Sequence, residues 1–188
     1  MTYSFATLKP FAISLALALA LPFAGVIDTA QAQQVALSAL PAGKYKMDLS
    51  HSSLLWKVNH LGLSMYTARF TDFDTDLMLN SKDPAKSDMT VTVKAASVKT
   101  DYPGKRDWDG ELANDPKFFN SKEYPDITFT AKSMDVTGEN TGKVMGDLTF
   151  LGNTGPVTLD VVFTGAMAAH PFSKKPVMGF TATTSFKR

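Results

Sequence analysis

The acidic residues Asp107, Asp109 and Glu111 lie close together and are the side chains of this sequence that most resemble a catalytic set. Glycoside hydrolysis needs two carboxyl groups that face one bond. Acidic residues at a helix start, however, more often cap the helix or offset its dipole. The two interpretations predict different geometry, because catalysis requires the carboxylates to converge, and we favour the structural one.

The histidines offer a second kind of chemistry. His51 and His60 lie near opposite ends of one predicted strand, roughly 30 Å apart at about 3.3 Å per residue, so they cannot share a metal ion. The sequence contains no cysteine, which removes the thiol nucleophile and the usual ligands of structural zinc. Nucleophile-elbow, P-loop and Rossmann glycine patterns are absent as well. We therefore predict no catalytic residue, no metal site and no cofactor.

Composition limits the class of partner. The chain of 188 residues has 19 basic and 18 acidic side chains. This near balance argues against a nucleic-acid-binding protein, which needs a basic excess. It also argues against electrostatic docking on anionic lipid.

Residues 1–32 have the three parts of a secretory signal peptide: a weakly basic start at Lys9, an apolar run over 11–23, and the small residues Ala30-x-Ala32. Pro22 and Gly25 interrupt the apolar stretch, which falls short of the roughly 18 residues that span a bilayer. We expect cleavage after Ala32 and no integral membrane segment thereafter. A flexible lead-in at 33–43 and a single domain over 44–188 should follow.

Apolar residues alternate with polar ones at a period of two in most of the remaining chain, which predicts antiparallel strands with one apolar face. The clear cases are 52–60, 88–97, 126–135, 142–151, 155–165 and 177–187. A less regular stretch at 64–80 predicts two more strands around an Asp-rich turn, and 101–125 predicts a short helical connection. With so little helix to cover a flat sheet, we predict an all-β fold, an antiparallel barrel of about eight strands or a sandwich.

Several motifs in a fixed order make this sequence resemble the YceI family. They include Tyr45-Lys46-Met47-Asp48-x-x-His51-Ser52, Trp56-x-Val58-x-His60-Leu61-Gly62 and Gly146-Asp147-Leu148-Thr149-Phe150-x-Gly152, and together they extend from Tyr45 to Arg188. The resemblance implies a lipocalin-like antiparallel β-barrel in the bacterial periplasm. It also implies a polyisoprenoid or other long-chain lipid as ligand, without catalysis or a metal.

The sequence departs from the family pattern in two places. In the connecting helix Trp108 precedes the matching Asp109, and Glu111 replaces a histidine, so that Arg106-Asp107 would act from a shifted register. The family pattern also continues past Arg188 with a closing strand. Either the closing C-terminal strand is missing from this sequence, or the barrel has an exposed edge through which we would expect a homodimer to form.

The resemblance also makes the apolar strand face a candidate ligand tunnel, whereas the residues alone favour a filled core. The candidate ligand-binding residues are Trp56, Val58, His60, Phe70, Phe118, Phe119, Phe129, Phe150, Phe163 and Phe180. The predicted function is an exported protein that holds a polyisoprenoid, quinone-like or fatty chain for transport, storage or envelope stress response. The alternatives are a lipid-processing hydrolase or isomerase using His51, His60 or the acids of 107–111, and an envelope protein whose barrel needs no ligand.

Overall fold

The structure is a computed structural model that describes residues 34–187, so the predicted signal peptide lies outside the described residues. One helix is present there, α1 (Trp108–Asn114), with short 3-10 turns at Leu37–Ala39, Leu49–His51, Pro84–Lys86 and Ala95–Ser97. The strands are β1 (Gly43–Lys46), β2 (Leu54–His60), β3 (Ser64–Phe70), β4 (Phe73–Leu79), β5 (Asp88–Lys94), β6 (Val98–Lys99), β7 (Asp126–Gly138), β8 (Thr141–Phe150), β9 (Asn153–Met167) and β10 (Val177–Thr183).

All strand pairs are antiparallel and form two sheets. The larger has the order β1-β4-β5-β7-β8-β9-β10, and the smaller has the order β2-β3-β6. The larger sheet curls into a half-barrel, which confirms the predicted all-β, lipocalin-like fold with one short helix in the 101–125 connection. The two strands beyond the expected eight, β1 and β6, have only four and two residues, too few to show a clear alternation.

Alternation along β9 shows why the sequence folds into this sheet. Its residues are half-buried and exposed in turn, with Val157, Leu159 and Val161 on one face and Thr158 and Asp160 on the other. Since successive strand side chains point to opposite sides, the odd positions give the sheet one continuous apolar face. The pairing register with β8 places Leu159 opposite Val144, so that apolar residues of adjacent strands meet on this face.

Two hydrophobic clusters occupy different parts of the fold. The first surrounds Phe70, Phe73, Val93, Val98 and Ala113 and includes residues that flank or belong to α1. The second joins Leu79 of β4 to Ala166 of β9, with Leu40 between them. Because three strands separate β4 from β9 in the sheet, their contact through this cluster is possible only where the sheet is strongly curved.

Residues 33–43 are expected from their composition to be a flexible lead-in, but the described part of this segment packs against the sheet. Leu40 is only 3% exposed in the second cluster. The backbone N–H of Val35 donates to the carbonyl of Ala166 at 2.9 Å, and Lys82 Nζ donates to the carbonyl of Ser38 at 2.8 Å. Burial of Leu40 thus anchors this segment, although the sequence pattern of its small residues predicts neither a strand nor a helix.

Candidate functional site

Aromatic rings from four parts of the chain form a continuous group at the end of the fold where α1 lies. We call it the ring cluster; its members are Tyr66, Trp56, Phe70, Phe119, Phe150 and Phe186. Neighbouring centroids are 5.2–6.5 Å apart, within the range of favourable edge-to-face and tilted contacts. Four of the predicted site residues, Trp56, Phe70, Phe119 and Phe150, are therefore brought together.

Phe119 is the centre of the ring cluster. Its ring lies 5.7 Å from Trp56, 5.2 Å from Phe70 and 6.0 Å from Phe150, and so joins the small sheet to the large one. The backbone N–H of Phe119 donates to the carbonyl of Leu112 at 3.0 Å, which folds the chain back over α1. The helix therefore positions this ring, although Phe119 itself lies outside any regular element.

The indole nitrogen of Trp56 has no hydrogen-bond partner. Nε1 is buried, and among residues 34–187 it is the buried side-chain polar atom that lacks one. A buried N–H without an acceptor costs about 1–3 kcal/mol, so natural proteins seldom keep one without a reason. An acceptor oxygen on a bound molecule would satisfy it.

Beyond the ring cluster, one face of the large sheet carries a row of half-buried apolar side chains, which we call the trough. Half-buried side chains line it, among them Leu148, Val157, Leu159, Val161 and Phe163. Gly155 lies on the same face, and a Cβ added there would meet no atom within 4 Å. The face is therefore open beside Gly155.

The other predicted site residues lie at various depths. Phe129 is buried, Phe163 and Phe180 form a ring pair 5.5 Å apart, and Phe180 is 43% exposed. Val58 and His60 lie on the same face as Trp56, but they are exposed because they are close to the β2–β3 turn. Phe118 is half-buried next to Phe119. The alternation of apolar and polar residues predicted which face of the sheet these strand residues occupy, but it did not predict how deeply their side chains are buried.

Tyr66 and Phe186 are ring-cluster members that were absent from the prediction. Tyr66 lies in β3, where alternation is weak, and its hydroxyl donates to the carbonyl of Thr100 at 3.2 Å. Tyr66 pairs with Val58 across the β2–β3 ladder, which carries it to the same face as Trp56. Its position could have been inferred from the sequence only by fixing that register.

The three acids of 107–111 do not converge. Asp107 caps α1 by accepting from the backbone N–H of Gly110 at 2.9 Å. Glu111 pairs with Arg106, whose guanidinium also stacks 3.8 Å from the Trp108 ring. Asp109 turns to the preceding β6 segment. Each carboxylate thus has its own structural partner, and Asp107 alone is the helix cap.

Asp109 fixes the start of α1 to the sheet. Its carboxylate accepts from the backbone N–H of Thr100 at 2.8 Å, from the Thr100 hydroxyl at 2.7 Å and from Lys99 Nζ at 3.0 Å. The Thr100 hydrogen bonds, helped by Lys99, hold the pKa of Asp109 below its usual range. This network helps orient the helix that carries the chain to Phe119.

His51 interacts only locally in the described structure. Its Nδ1 lies 2.8 Å from Asp48 Oδ2 on the surface, and hydrogen bonds from Ser50 and His51 lower the pKa of Asp48 to about 2. Among residues 34–187, no group of three or more His, Asp or Glu side chains could hold a metal ion.

A separate depression of ≈ 180 Å³ is lined by Gln34, Gly165 and Met178. It lies near the C-terminal end of β9, whereas the N-terminal end of that strand pairs with Phe150 of β8.

The fold and the apolar concave face together define an antiparallel half-barrel protein of the lipocalin-like kind. A search with the YceI-like domain profile matches residues 45–188. A UPF0312 protein of Pseudomonas putida (strain F1) is 36% identical over 146 residues, which are 77% of this chain and 73% of that protein. The chain belongs to the YceI family.

Further comparisons agree with this assignment. The protein YceI of Escherichia coli O157:H7 is 35% identical over 126 residues, covering 66% of this chain and 63% of that protein. The crystal structure of BcnA from Burkholderia cenocepacia is similar in fold, with a TM-score of 0.55 at 22% identity over 64% of this chain and 78% of that one. Within the described part of the chain, no helix has the length and hydropathy that a membrane span requires.

Proposed function

We propose that this protein is an exported binding protein that holds a long apolar chain, of the polyisoprenoid, quinone-like or fatty type, along its concave trough. The observation that carries the proposal is the half-exposed apolar lining around Val157, Leu159 and Val161, with open space at Gly155. These side chains keep part of their surface exposed, which leaves apolar area for a ligand to cover. Membership of the YceI family and the half-barrel fold support a binding protein.

The apolar lining is sufficient for useful affinity. Each methylene removed from water contributes about 0.8 kcal/mol, so ten contribute roughly 8 kcal/mol. This corresponds to about micromolar binding before the ordering cost of a flexible chain is subtracted. A long hydrocarbon therefore suits the site better than a small polar metabolite.

The ring cluster gives the ligand a direction. In the proposed complex the hydrocarbon lies along the trough, and a terminal group with an acceptor oxygen lies beside Trp56 Nε1. Because the rings around Phe119 already contact one another, a planar, quinone-like end group would lie against the ring cluster rather than between its rings. The hydrocarbon of such a ligand would cover the apolar trough, and its end group would accept a hydrogen bond from Trp56 Nε1.

The biological setting follows from the N-terminal segment. Residues 1–32 would direct export and be removed, leaving the domain in the periplasm, where it would carry or store lipid in the envelope or act in the envelope stress response.

Over residues 34–187, β10 pairs with β9 alone. A second copy pairing along this edge would give the homodimer, which analytical ultracentrifugation tests.

Native mass spectrometry of protein purified from its own cells tests ligand binding directly. We expect an additional mass that organic extraction releases as a long-chain lipid. The matched variants Val161→Glu and Val162→Glu place the same charge on adjacent residues, one in the trough and one on the opposite face, where Val162 is 45% exposed. Loss of lipid in the first alone supports the proposal; an empty wild-type protein that also ignores added isoprenoid refutes it.

A further inference from the structure

The loop between β9 and β10 has a fixed shape. His170 Nδ1 accepts from the backbone N–H groups of Phe172 at 3.4 Å and of Ser173 at 3.3 Å. The backbone N–H of Lys174 donates to the carbonyl of His170 at 2.9 Å, and that of His170 donates to Lys175 at 2.8 Å. Phe172, Ser173, Lys174 and Lys175 are thus each hydrogen-bonded to the imidazole or the backbone of His170.

This fixed loop presents an aromatic ring to solvent. Phe172 is 90% exposed, more than any other large apolar residue among residues 34–187. Its one ring contact is with His170 at 5.7 Å, on the same loop. A single exposed aromatic is ordinary on a protein surface, so the groups beside it decide whether it marks an interaction site.

The charges beside Phe172 are all of one sign. Lys174 and Lys175 follow it after one serine, and residues 161–188 contain four basic and no acidic side chains. Six other lysines, Lys44, Lys86, Lys94, Lys99, Lys132 and Lys143, each pair with an aspartate. Over the described chain, neither Lys174 nor Lys175 has such an ion pair. The balanced total charge therefore conceals a locally basic loop.

We propose that the β9–β10 loop docks this protein on the surface of an anionic phospholipid bilayer. Phe172 would enter the boundary between headgroups and acyl chains, while Lys174 and Lys175 contact lipid phosphates. Exposed aromatics beside lysines are suited to this interface, since the ring is removed from water as the cations meet negative charge. The proposal is independent of the trough ligand, because docking requires no bound lipid.

A second exposed apolar tip provides a matched control. In the β2–β3 turn Leu61 is 82% and Leu63 is 85% exposed, but no lysine or arginine occurs between His60 and Tyr66. Docking that depended on exposed apolar groups alone would use this tip equally well. Docking by the proposed loop requires both the ring and the basic pair.

Co-sedimentation with vesicles of phosphatidylcholine, with or without phosphatidylglycerol, tests the proposal on the full chain. We expect binding only to the anionic vesicles, weakened roughly thirtyfold in Lys174→Gln/Lys175→Gln and about tenfold in Phe172→Ser, and reduced by salt. Leu61→Ser/Leu63→Ser should bind like the wild type. All variants carry the same N-terminal segment, so differences in vesicle binding between them are due to the substituted loops. Circular dichroism checks that each variant is folded.

Four results would overturn the proposal. Three of them are equal binding to neutral vesicles, unchanged binding by the loop variants, and an equal loss in the Leu61→Ser/Leu63→Ser control. Absence of vesicle binding by the wild type would also overturn it and would favour a protein partner for Phe172. A Phe172→Trp variant adds a direct readout, because its emission should move to shorter wavelength only with anionic vesicles.

Discussion

The ring of Phe119 stands edge-on to the indole of Trp56, with centroids 5.7 Å apart and planes at 72°. Trp56 belongs to the small sheet, whereas Phe119 comes from the segment after α1 and also contacts Phe150 of the large sheet. This one contact therefore joins the three parts of the fold at the candidate site. Changes at Trp56 should therefore affect ligand affinity and the free energy of unfolding to different extents.

Replacing Trp56 by Phe should keep the ring and remove the unpaired N–H. Without ligand we expect the free energy of unfolding to change by less than about 1 kcal/mol, because loss of the unpaired buried donor offsets the packing lost with the smaller ring. Affinity for a chain with an acceptor oxygen should fall about tenfold, while affinity for a plain hydrocarbon stays the same. Urea unfolding and lipid titration measure these effects, and Trp108→Phe is the control.

Gly146 should tolerate no side chain. A Cβ there would lie 2.3 Å from the backbone carbonyl oxygen of Thr130 and 2.7 Å from the Phe129 ring. We expect Gly146→Ala to lower the free energy of unfolding by roughly 2 kcal/mol, because β7 must move. Gly155→Ala, which meets nothing within 4 Å, is the matched control. Equal unfolding midpoints in urea would contradict the close approach of these strands.

Filling the trough at Gly155 should block the ligand without unfolding the protein. The open space beside this glycine can receive a Leu side chain, which would occupy volume that the proposed hydrocarbon needs. We expect Gly155→Leu to unfold near the wild-type midpoint and to co-purify with little or no lipid. Full lipid occupancy in this variant would show that the ligand binds elsewhere.

The Asp109 network should make the helix anchor sensitive to acid. Its carboxyl pKa is lowered in the folded protein by the Thr100 hydrogen bonds, so its stabilisation is present above the unfolded value near 3.8 and lost as pH falls through the folded pKa. Asp109→Asn should cost about 1–2 kcal/mol at neutral pH and flatten stability below about pH 4. Glu111→Gln, which breaks a more exposed ion pair with Arg106, should cost less.

Much of the fold could be predicted from alternation. The runs at 126–135, 142–151 and 155–165 lie in β7, β8 and β9, and the helix at Trp108–Asn114 lies within the expected connection. Period-two patterning sets which face is apolar, so it predicts strands directly. The family resemblance is confirmed as well.

Other features depend on packing that sequence alone does not specify. Asp74 and Asp76, expected in a turn, lie in β4, because the chain reverses at Thr71 and Asp72 and the two aspartates fit its exposed positions. Leu40 joins a cluster with Leu79 and Ala166, which come from distant parts of the chain. Burial depth depends on the curvature of the whole sheet, so Phe129 and Phe180 looked equivalent before the structure was known.

The half-exposed trough has a thermodynamic consequence that calorimetry can detect. Water leaves the lining around Val157 and Leu159 when an occupant enters, so the heat capacity should fall on binding. Removing about 300 Å² of apolar surface lowers it by about 0.1 kcal/mol/K. The measured enthalpy should therefore become steadily more negative on warming, even where the affinity itself changes little.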